Sequence, residues 1–259
     1  MTIQEVIDYL NEIYPLRLQE SYDNAGHKVG DATRELTGAL VALDVTSEVI
    51  DEACELGYNL IVSHHPMIYA GLKSLVPSTE QTRMLERLIK KDICVYSAHT
   101  NLDNLRGGVS YILAEKLGLK NVSTLRPVDD EGMGGGAIGE TAEEKDYETF
   151  MTEVKKVLGL PVVKCSNERP ASVKRVAVCG GSGSFMIDDA AEKKADLYLT
   201  ADLKYHDYQK AVGMVSLADI GHYESEQFAQ ELIYNDIIKK FSNFACRITK
   251  AKTSYVSYI

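Results

Sequence analysis

The pattern of apolar and polar positions divides the chain into amphipathic helices and short, mostly apolar strands. Thr2 and Glu5 have the spacing of a helix capping box, and the apolar residues behind them recur at the helical period as far as position 14. Strand-like runs then alternate with helical patterns, which is typical of parallel strands joined by crossover helices. In the first half of the chain these runs lie at 39–43, 59–63 and 93–97.

The second half shows the same alternation after a polar, glycine-rich stretch. Five glycines occupy eleven positions between 129 and 139, which is the strongest change of composition in the chain. We therefore expect a boundary near 126, with residues 1–125 and 224–259 in a first α/β domain and residues 126–223 in a second. Further strands are expected at 173–179, 196–200 and 215–220, a long helix at 223–241, and a loop at 21–31.

An internal similarity relates the two halves. A shift of 137 residues places the segment 49–63 on the segment 186–200 with five identities in fifteen positions. If this reflects a repeated unit, His206 lies in the second half roughly where His64 and His65 lie in the first. The two halves would then face one another across a cleft.

Composition excludes several classes of protein. The five cysteines form no CxxC pair, which favours reduced thiols over a disulfide framework or a zinc ribbon. The net charge of -10 argues against a general nucleic-acid binder, because such proteins neutralise phosphates with basic patches. No apolar run approaches the ~20 residues of a membrane span, and the acidic N-terminus is unlike a signal peptide. We expect a cytoplasmic protein that binds a small ligand or a cation.

Histidines follow the predicted strands of the first half. His64 and His65 come directly after the strand at 59–63, and His99 follows the next strand. The carboxyl ends of parallel strands are where open α/β sheets bind their ligands. Adjacent residues of an extended chain point to opposite faces, so both histidines reach one ion only if Pro66 breaks the strand, and otherwise each serves a different metal of a pair. A surface loop that carries two histidines by chance is the alternative.

Two carboxylates and a third imidazole complete the candidate ligands. Asp103 lies four residues after His99, and capping of the helix predicted from 108 is its alternative role. His222 and Glu226 are four residues apart at the start of a predicted helix, which places both side chains on one face. Three imidazoles and two carboxylates are too many for one open tetrahedral site but suit two divalent ions, with Glu226 bridging them. Zinc, manganese and iron(II) fit these donors better than calcium or magnesium does.

The sequence GGSG at 180–183 allows two interpretations. It could bind a phosphate at a helix N-terminus, or it could be a tight turn between a strand and a helix. The last glycine of the dinucleotide fingerprint and the Lys-Ser/Thr pair of a P-loop are both missing, which favours the turn.

Five motifs together resemble one protein family. They are DNAGHKVG at 23–30, SHHP at 63–66, AHTNLDN at 98–104, TADLKYHD at 200–207 and GHYESE at 221–226. Their combination is similar to the NIF-three-like proteins, also known as GTP cyclohydrolase I type 2 homologues or dinuclear-metal hexamers. The length of 259 residues resembles the short form of the family, which lacks an inserted domain. One departure is His27, where the family usually has an apolar residue.

The resemblance implies a fold, a site and an assembly. It implies two α/β domains of partly similar topology, with mixed sheets covered by helices and a dinuclear metal site in the cleft between them. By motif position the family's metal ligands fall on His64, His65, Asp103, His222 and Glu226. His99 and His206 match family histidines near the site, and the resemblance gives them proton-transfer or supporting roles. It further implies a toroidal homo-hexamer with two divalent ions per chain, which would be zinc, manganese or iron.

Two functions of different class are compatible with this sequence. A two-metal site lowers the pKa of a bridging water and stabilises an oxyanion, which suits hydrolysis of a phosphoester, an amide or a ring C–N bond. The first hypothesis is therefore a metal-dependent hydrolase of a small, nucleotide-like substrate, similar to GTP cyclohydrolase I type 2. The second is a non-catalytic, metal-holding ring that acts as an adaptor or a storage protein.

Overall fold

The computed structural model describes residues 1–259 and contains two mixed β-sheets with helices packed against them, which confirms the predicted α/β class. Contacts divide the chain into a first unit, Met1–Leu102 with Ala229–Tyr255, and a second unit, Asp103–Phe228 with Val256–Ile259. The helices are α1 Ile3–Ile13, α2 Ser47–Leu56, α3 Glu80–Lys90, α4 Thr100–Asp103, α5 Val109–Lys116, α6 Tyr147–Leu158, α7 Ile187–Glu192, α8 Tyr205–Lys210, α9 His222–Glu226 and α10 Ala229–Lys240. The strands are β1 Gly26–Val29, β2 Ala39–Ala42, β3 Leu60–Ser63, β4 Cys94–Ser97, β5 Lys120–Pro127, β6 Gly134–Asp146, β7 Lys164–Cys165, β8 Ser172–Ser182, β9 Leu197–Ala201, β10 Ser216–Asp219 and β11 Cys246–Ile248.

The first unit contains a five-stranded sheet in the order β1-β4-β3-β2-β11. Strands β11, β2, β3 and β4 run parallel to one another, and only β1 is antiparallel to its neighbour. Strands β2 and β3 are buried along their whole length, and Leu40 and Ile61 pack with helix residues Val49 and Leu85 in one apolar cluster. Because β2, β3 and β4 are parallel neighbours in the sheet, the residues that follow them lie at one edge of the sheet.

Local signals set the ends of the first helices. The capping box of α1 is present, since the Thr2 hydroxyl accepts from the Glu5 amide and the Glu5 carboxylate accepts from the Thr2 amide at 2.6 Å. Helix α2 ends at Gly57, whose φ of +69° lies in the left-handed region that favours glycine. The predicted loop at 21–31 is wrong in part, because β1 lies inside it and pairs His27 with Tyr96 of β4.

The second unit contains a six-stranded sheet in the order β5-β6-β8-β9-β10-β7. Strands β8, β9 and β10 are parallel, whereas β5, β6 and β7 pair antiparallel with their neighbours. Alternate residues of β8 and β9 enter two different cores: Val176 and Leu197 belong to one, and Ala177 and Tyr198 to the other. The sheet is therefore covered on both faces, and its parallel strands again end at one edge.

The glycine-rich stretch belongs to the second sheet. Strand β5 turns back into β6, which begins at Gly134, so residues 129–139 connect and extend two paired strands. A Cβ at Gly134 would overlap the carbonyl of Arg126, which explains why glycine is needed where these strands approach. The long helix predicted for 223–241 is wrong, because a turn at residues 227 and 228 separates α9 from α10.

Candidate metal centre

Three histidines of the first unit cluster at the carboxyl edge of its sheet. His64 and His65 directly follow β3, and His99 is the second residue after β4. The ring centroid of His64 lies 5.0 Å from that of His65 and 5.4 Å from that of His99, and the last two centroids are 5.7 Å apart. His64 is fully buried, while 22% of the His65 side chain and 17% of the His99 side chain are exposed. Parallel pairing of β3 with β4 thus brings together residues that are 34 positions apart.

The two adjacent histidines are held in one tautomer by different acceptors. His64 Nδ1 donates to the carbonyl oxygen of Ala98 at 2.6 Å, and His65 Nδ1 donates to Oδ1 of Asp44 at 2.8 Å. Asp44 is the second residue after β2, so it reaches His65 along the same edge of the sheet. Because Nδ1 carries the proton, Nε2 of each ring carries the lone pair that ligates a metal.

His99 forms a pair with a buried aspartate. Asp23 Oδ1 accepts from His99 Nδ1 at 2.7 Å and from the Asn24 amide at 2.6 Å, and its Oδ2 accepts from the amide and hydroxyl of Thr100. Burial opposes ionisation of Asp23, but the hydrogen bonds from His99 and Thr100 outweigh it and lower the pKa of this carboxyl below its ordinary value. The pair therefore holds His99 with an Nε2 that can accept a proton.

In the second unit, His222 and Glu226 occupy one face of α9, as their spacing predicts. His222 Nε2 lies 3.1 Å from Glu226 Oε2, and the Glu226 side chain is only 4% exposed. His222 Nδ1 donates to Asp202 Oδ2 at 2.7 Å. Asp202 is the first residue after β9 and has a φ of +57°, an uncommon conformation for a residue other than glycine. The ends of β9 and β10 thus supply the supporting carboxylate and the imidazole.

The GGSG segment shapes the space around Glu226. Gly181 has a φ of +64°, and a Cβ built on it would overlap Oε1 of Glu226 and lie 3.0 Å from its Cδ. The amide of Gly180 donates to Ser110 Oγ at 3.3 Å and that of Gly181 to Ser225 Oγ at 2.9 Å. Because both amides are already bonded within the protein, the segment fits the strand-end turn better than a phosphate cradle.

Asp103 lies close to the same part of the second unit. It is the last residue of α4, and helix α5 begins after Gly108, which provides no side-chain cap. Burial, together with the negative charges of Asp103 and Glu226, raises the pKa of the Cys179 thiol to about 12. One buried thiol therefore experiences both carboxylates.

The two remaining histidines of the chain have separate surroundings. His206 is exposed on α8, where its Nδ1 contacts Gln209 Oε1 at 3.1 Å and its ring meets that of Tyr205. Under the shift of 137 residues, His65 corresponds to Asp202, which directly follows β9 just as His65 closely follows β3. His27 lies on β1 and donates from Nε2 to the carbonyl of Val29.

Sequence reasoning missed the carboxylates that orient the histidines. Asp44 and Asp202 follow strands just as the histidines do, and Asp23 opens the first quoted family motif. Their position after a strand was the available signal, but aspartate is also common in turns at such places. Only the pairing of the strands shows which histidine each carboxylate contacts.

The donors of each unit fit a divalent transition metal. The first unit offers imidazole nitrogens whose tautomer is already set, and the second offers an imidazole with nearby carboxylates. Imidazole with carboxylate suits zinc, manganese or iron(II). His64, His65 and Glu226 are side chains of the kind that could hold a metal ion.

The chain is similar to known proteins over most of its length. The family model described as Duf34/NIF3 (NGG1p interacting factor 3) matches residues 1–255. A protein of Clostridium perfringens named GTP cyclohydrolase 1 type 2 homolog is 37% identical over 231 residues, covering 87% of each chain. A protein of Campylobacter jejuni with the same name is 32% identical over 238 residues, covering 92% of each chain.

A solved structure shows the same fold. Hypothetical protein SA1388 of Staphylococcus aureus superposes with a TM-score of 0.92 at 31% identity, covering 100% of this chain and 99% of that one. Its match, like that of the family model, extends over both units. The chain therefore belongs to the DUF34/NIF3 family.

Proposed function

We propose that this protein is a metal-dependent hydrolase of a small, nucleotide-like substrate. In this proposal each chain holds two divalent ions. The ligands are His64, His65, Asp103, His222 and Glu226. The observation that carries the proposal is that the Nδ1 of each of the three imidazoles donates to an oxygen acceptor. Such acceptors orient a ligating histidine and raise its basicity, and both effects favour metal binding by the ring.

The close contact of His222 with Glu226 supports the same interpretation. The Nε2 to Oε2 distance of 3.1 Å allows a proton between the two atoms, and the Nδ1 of the same ring faces Asp202. A metal ion that binds His222 Nε2 and Glu226 Oε2 would replace a proton shared by these two atoms, so metal uptake should release protons.

The chain's own residues would handle the protons of the reaction. Divalent ions bound here would supply Lewis acidity and a nucleophile drawn from water near neutral pH. His99, oriented by Asp23, would accept a proton at Nε2 and return it to the leaving group. His206 is proposed as a second proton-transfer residue, and its exposure on α8 leaves its ring accessible to a substrate.

The names of relatives guide the choice of substrate. Proteins of Clostridium perfringens and Campylobacter jejuni bear the name GTP cyclohydrolase 1 type 2 homolog, so GTP is the first substrate to assay. A homo-hexamer is the assembly that the family resemblance suggests. Every helix of this structure is too short or too polar to cross a bilayer.

The test is a hydrolysis assay on defined metal forms. The purified protein is stripped of metal, reloaded with zinc, manganese or iron(II), and incubated with GTP, phosphoesters and amides. We expect hydrolysis that requires metal, disappears in Glu226→Ala and persists in Glu224→Ala, which removes a carboxylate from the same helix. His99→Ala and His206→Ala, assayed separately, should lower the rate while metal content is retained.

A second outcome would overturn the hydrolase. If no substrate is cleaved by any metal form while a chelator disperses the oligomer or lowers its melting temperature, the ions are structural. The non-catalytic ring would then be the function.

A further inference from the structure

The carboxylate that orients His65 has a second partner in the C-terminal segment. Asp44 accepts from His65 Nδ1 at Oδ1, at 2.8 Å, and from the Thr253 hydroxyl at Oδ2, at 3.0 Å. Thr253 is only 4% exposed, although its neighbour Lys252 and the nearby Tyr255 are exposed. A buried hydroxyl next to exposed residues therefore faces the carboxylate that supports a candidate metal ligand.

Pairing with the sheet brings this segment to Asp44. Strand β11 runs parallel to β2 with Ile248 opposite Val41, and the Thr249 amide continues the pairing by donating to the Val41 carbonyl at 2.8 Å. The Lys250 amide then donates to Glu52 at 2.9 Å. The C-terminal segment is thus held beside β2 as far as the carboxyl end of that strand, and Asp44 lies just beyond this strand end.

We propose that Thr253 is a positioning residue for the metal ligand His65 and acts through Asp44. The torsion of an aspartate carboxylate about its last bond is broad, so a single hydrogen bond fixes it poorly. With the Thr253 hydroxyl on Oδ2, the other oxygen is held toward His65 and keeps the proton on Nδ1. The inference rests on the proposed metal site, and it makes the C-terminal segment a part of the support of His65.

The test compares three variants of the full-length protein. Thr253→Val removes the hydroxyl with little change of shape, and Thr253→Ser keeps it. Thr249→Val is the matched control. Thr249 lies in the same C-terminal segment as Thr253, but its hydroxyl donates to Glu52 of α2 and not to Asp44. Zinc affinity is measured by competition with a chromophoric chelator, and the tautomer of His65 is read from its ring ¹⁵N chemical shifts in the metal-free protein.

We expect Thr253→Val to lower zinc affinity on the order of 3- to 10-fold, the effect of losing one hydrogen bond. The ring shifts of His65 should then indicate a mixture of tautomers, whereas Thr253→Ser and Thr249→Val should match the wild type in both measurements. The inference is overturned if Thr253→Val leaves the tautomer unchanged, if Thr253→Ser fails to restore the wild-type values, or if Thr249→Val causes an equal loss. If the wild type binds no zinc, the proposed function fails, and the tautomer alone decides the role of Thr253.

Discussion

Replacement of Gly181 by alanine should weaken metal binding far more than it weakens the fold. A Cβ at this position would overlap Oε1 of Glu226 and approach His222 Cε1 to 3.3 Å. To reach ordinary contact distance the carboxylate must move by on the order of 1 Å. Metal–ligand distances tolerate deviations of only ~0.2 Å, so the displaced carboxylate would no longer be a ligand in its native position.

The change has a separate cost for the backbone, and a control isolates it. Gly181 has a φ of +64°, and alanine in that region costs about 1 kcal/mol of stability. Gly159→Ala is the matched control, because Gly159 has a φ of +71° in the same unit and no atom within 4 Å of the added methyl group. Both variants should lose similar stability in urea unfolding of the metal-free protein, since the atom displaced by Gly181→Ala is the end of a flexible side chain.

The deciding assay is zinc titration of the two variants and the wild type. We expect Gly181→Ala to lose at least ~10-fold in affinity, the range seen when the support of a ligand is disturbed, while Gly159→Ala binds as the wild type does. Equal affinity of the two variants would refute the assignment of Glu226 as a ligand placed against the Gly181 backbone.

Three further results are expected. Asp23→Asn should lower any hydrolytic rate at unchanged metal content. The pKa of Asp23 is lower in the folded protein than the ~3.9 of an unfolded chain, so ionised Asp23 stabilises the fold fully above pH ~3.9 and loses this effect as pH falls through the folded pKa. This pH-dependent loss of stability should be missing from the acid unfolding curve of Asp23→Asn. The Cys179 thiol, buried and with its pKa raised to about 12, should resist iodoacetamide at pH ~8 in the native protein and react only after unfolding, whereas the partly exposed Cys54 should be labelled first, as peptide mass mapping would show. Thr2→Ala removes the cap of α1 and should lower the free energy of unfolding by about 1 kcal/mol in urea titration.

Elements with local signals were predictable from the sequence. Helix α1 is indicated by a capping box and an amphipathic pattern, and the structure has that cap at Thr2. Strands β2 and β3 were recognised because a buried parallel strand is an unbroken apolar run. In each case the information lies within a few neighbouring residues.

Strands defined by distant partners were not predictable in the same way. Strand β1 is four residues long at a sheet edge and is fixed by β4, about seventy positions further along the chain. Strand β6 begins within the glycine-rich stretch, where glycine permits close approach to β5 but leaves no apolar pattern to recognise. The break between α9 and α10 was not predictable either, because residues 227 and 228 include no proline or glycine that would indicate it.

The candidate site shows the same division. His64, His65 and His99 could be grouped beforehand because each follows a predicted parallel strand, and the structure brings their rings together. The acceptors behind the rings could not, because the pairing of Asp44 with His65 depends on the order of strands in the sheet.

The proposed function requires that each chain bind two divalent ions with the five proposed ligands. Diffraction from crystals of the zinc-loaded protein, recorded at the zinc absorption edge, would locate and count these ions. We expect two strong anomalous peaks per chain, next to the imidazoles of His64, His65 and His222 and the carboxylates of Asp103 and Glu226. A single peak, or peaks that lie away from these side chains, would contradict it.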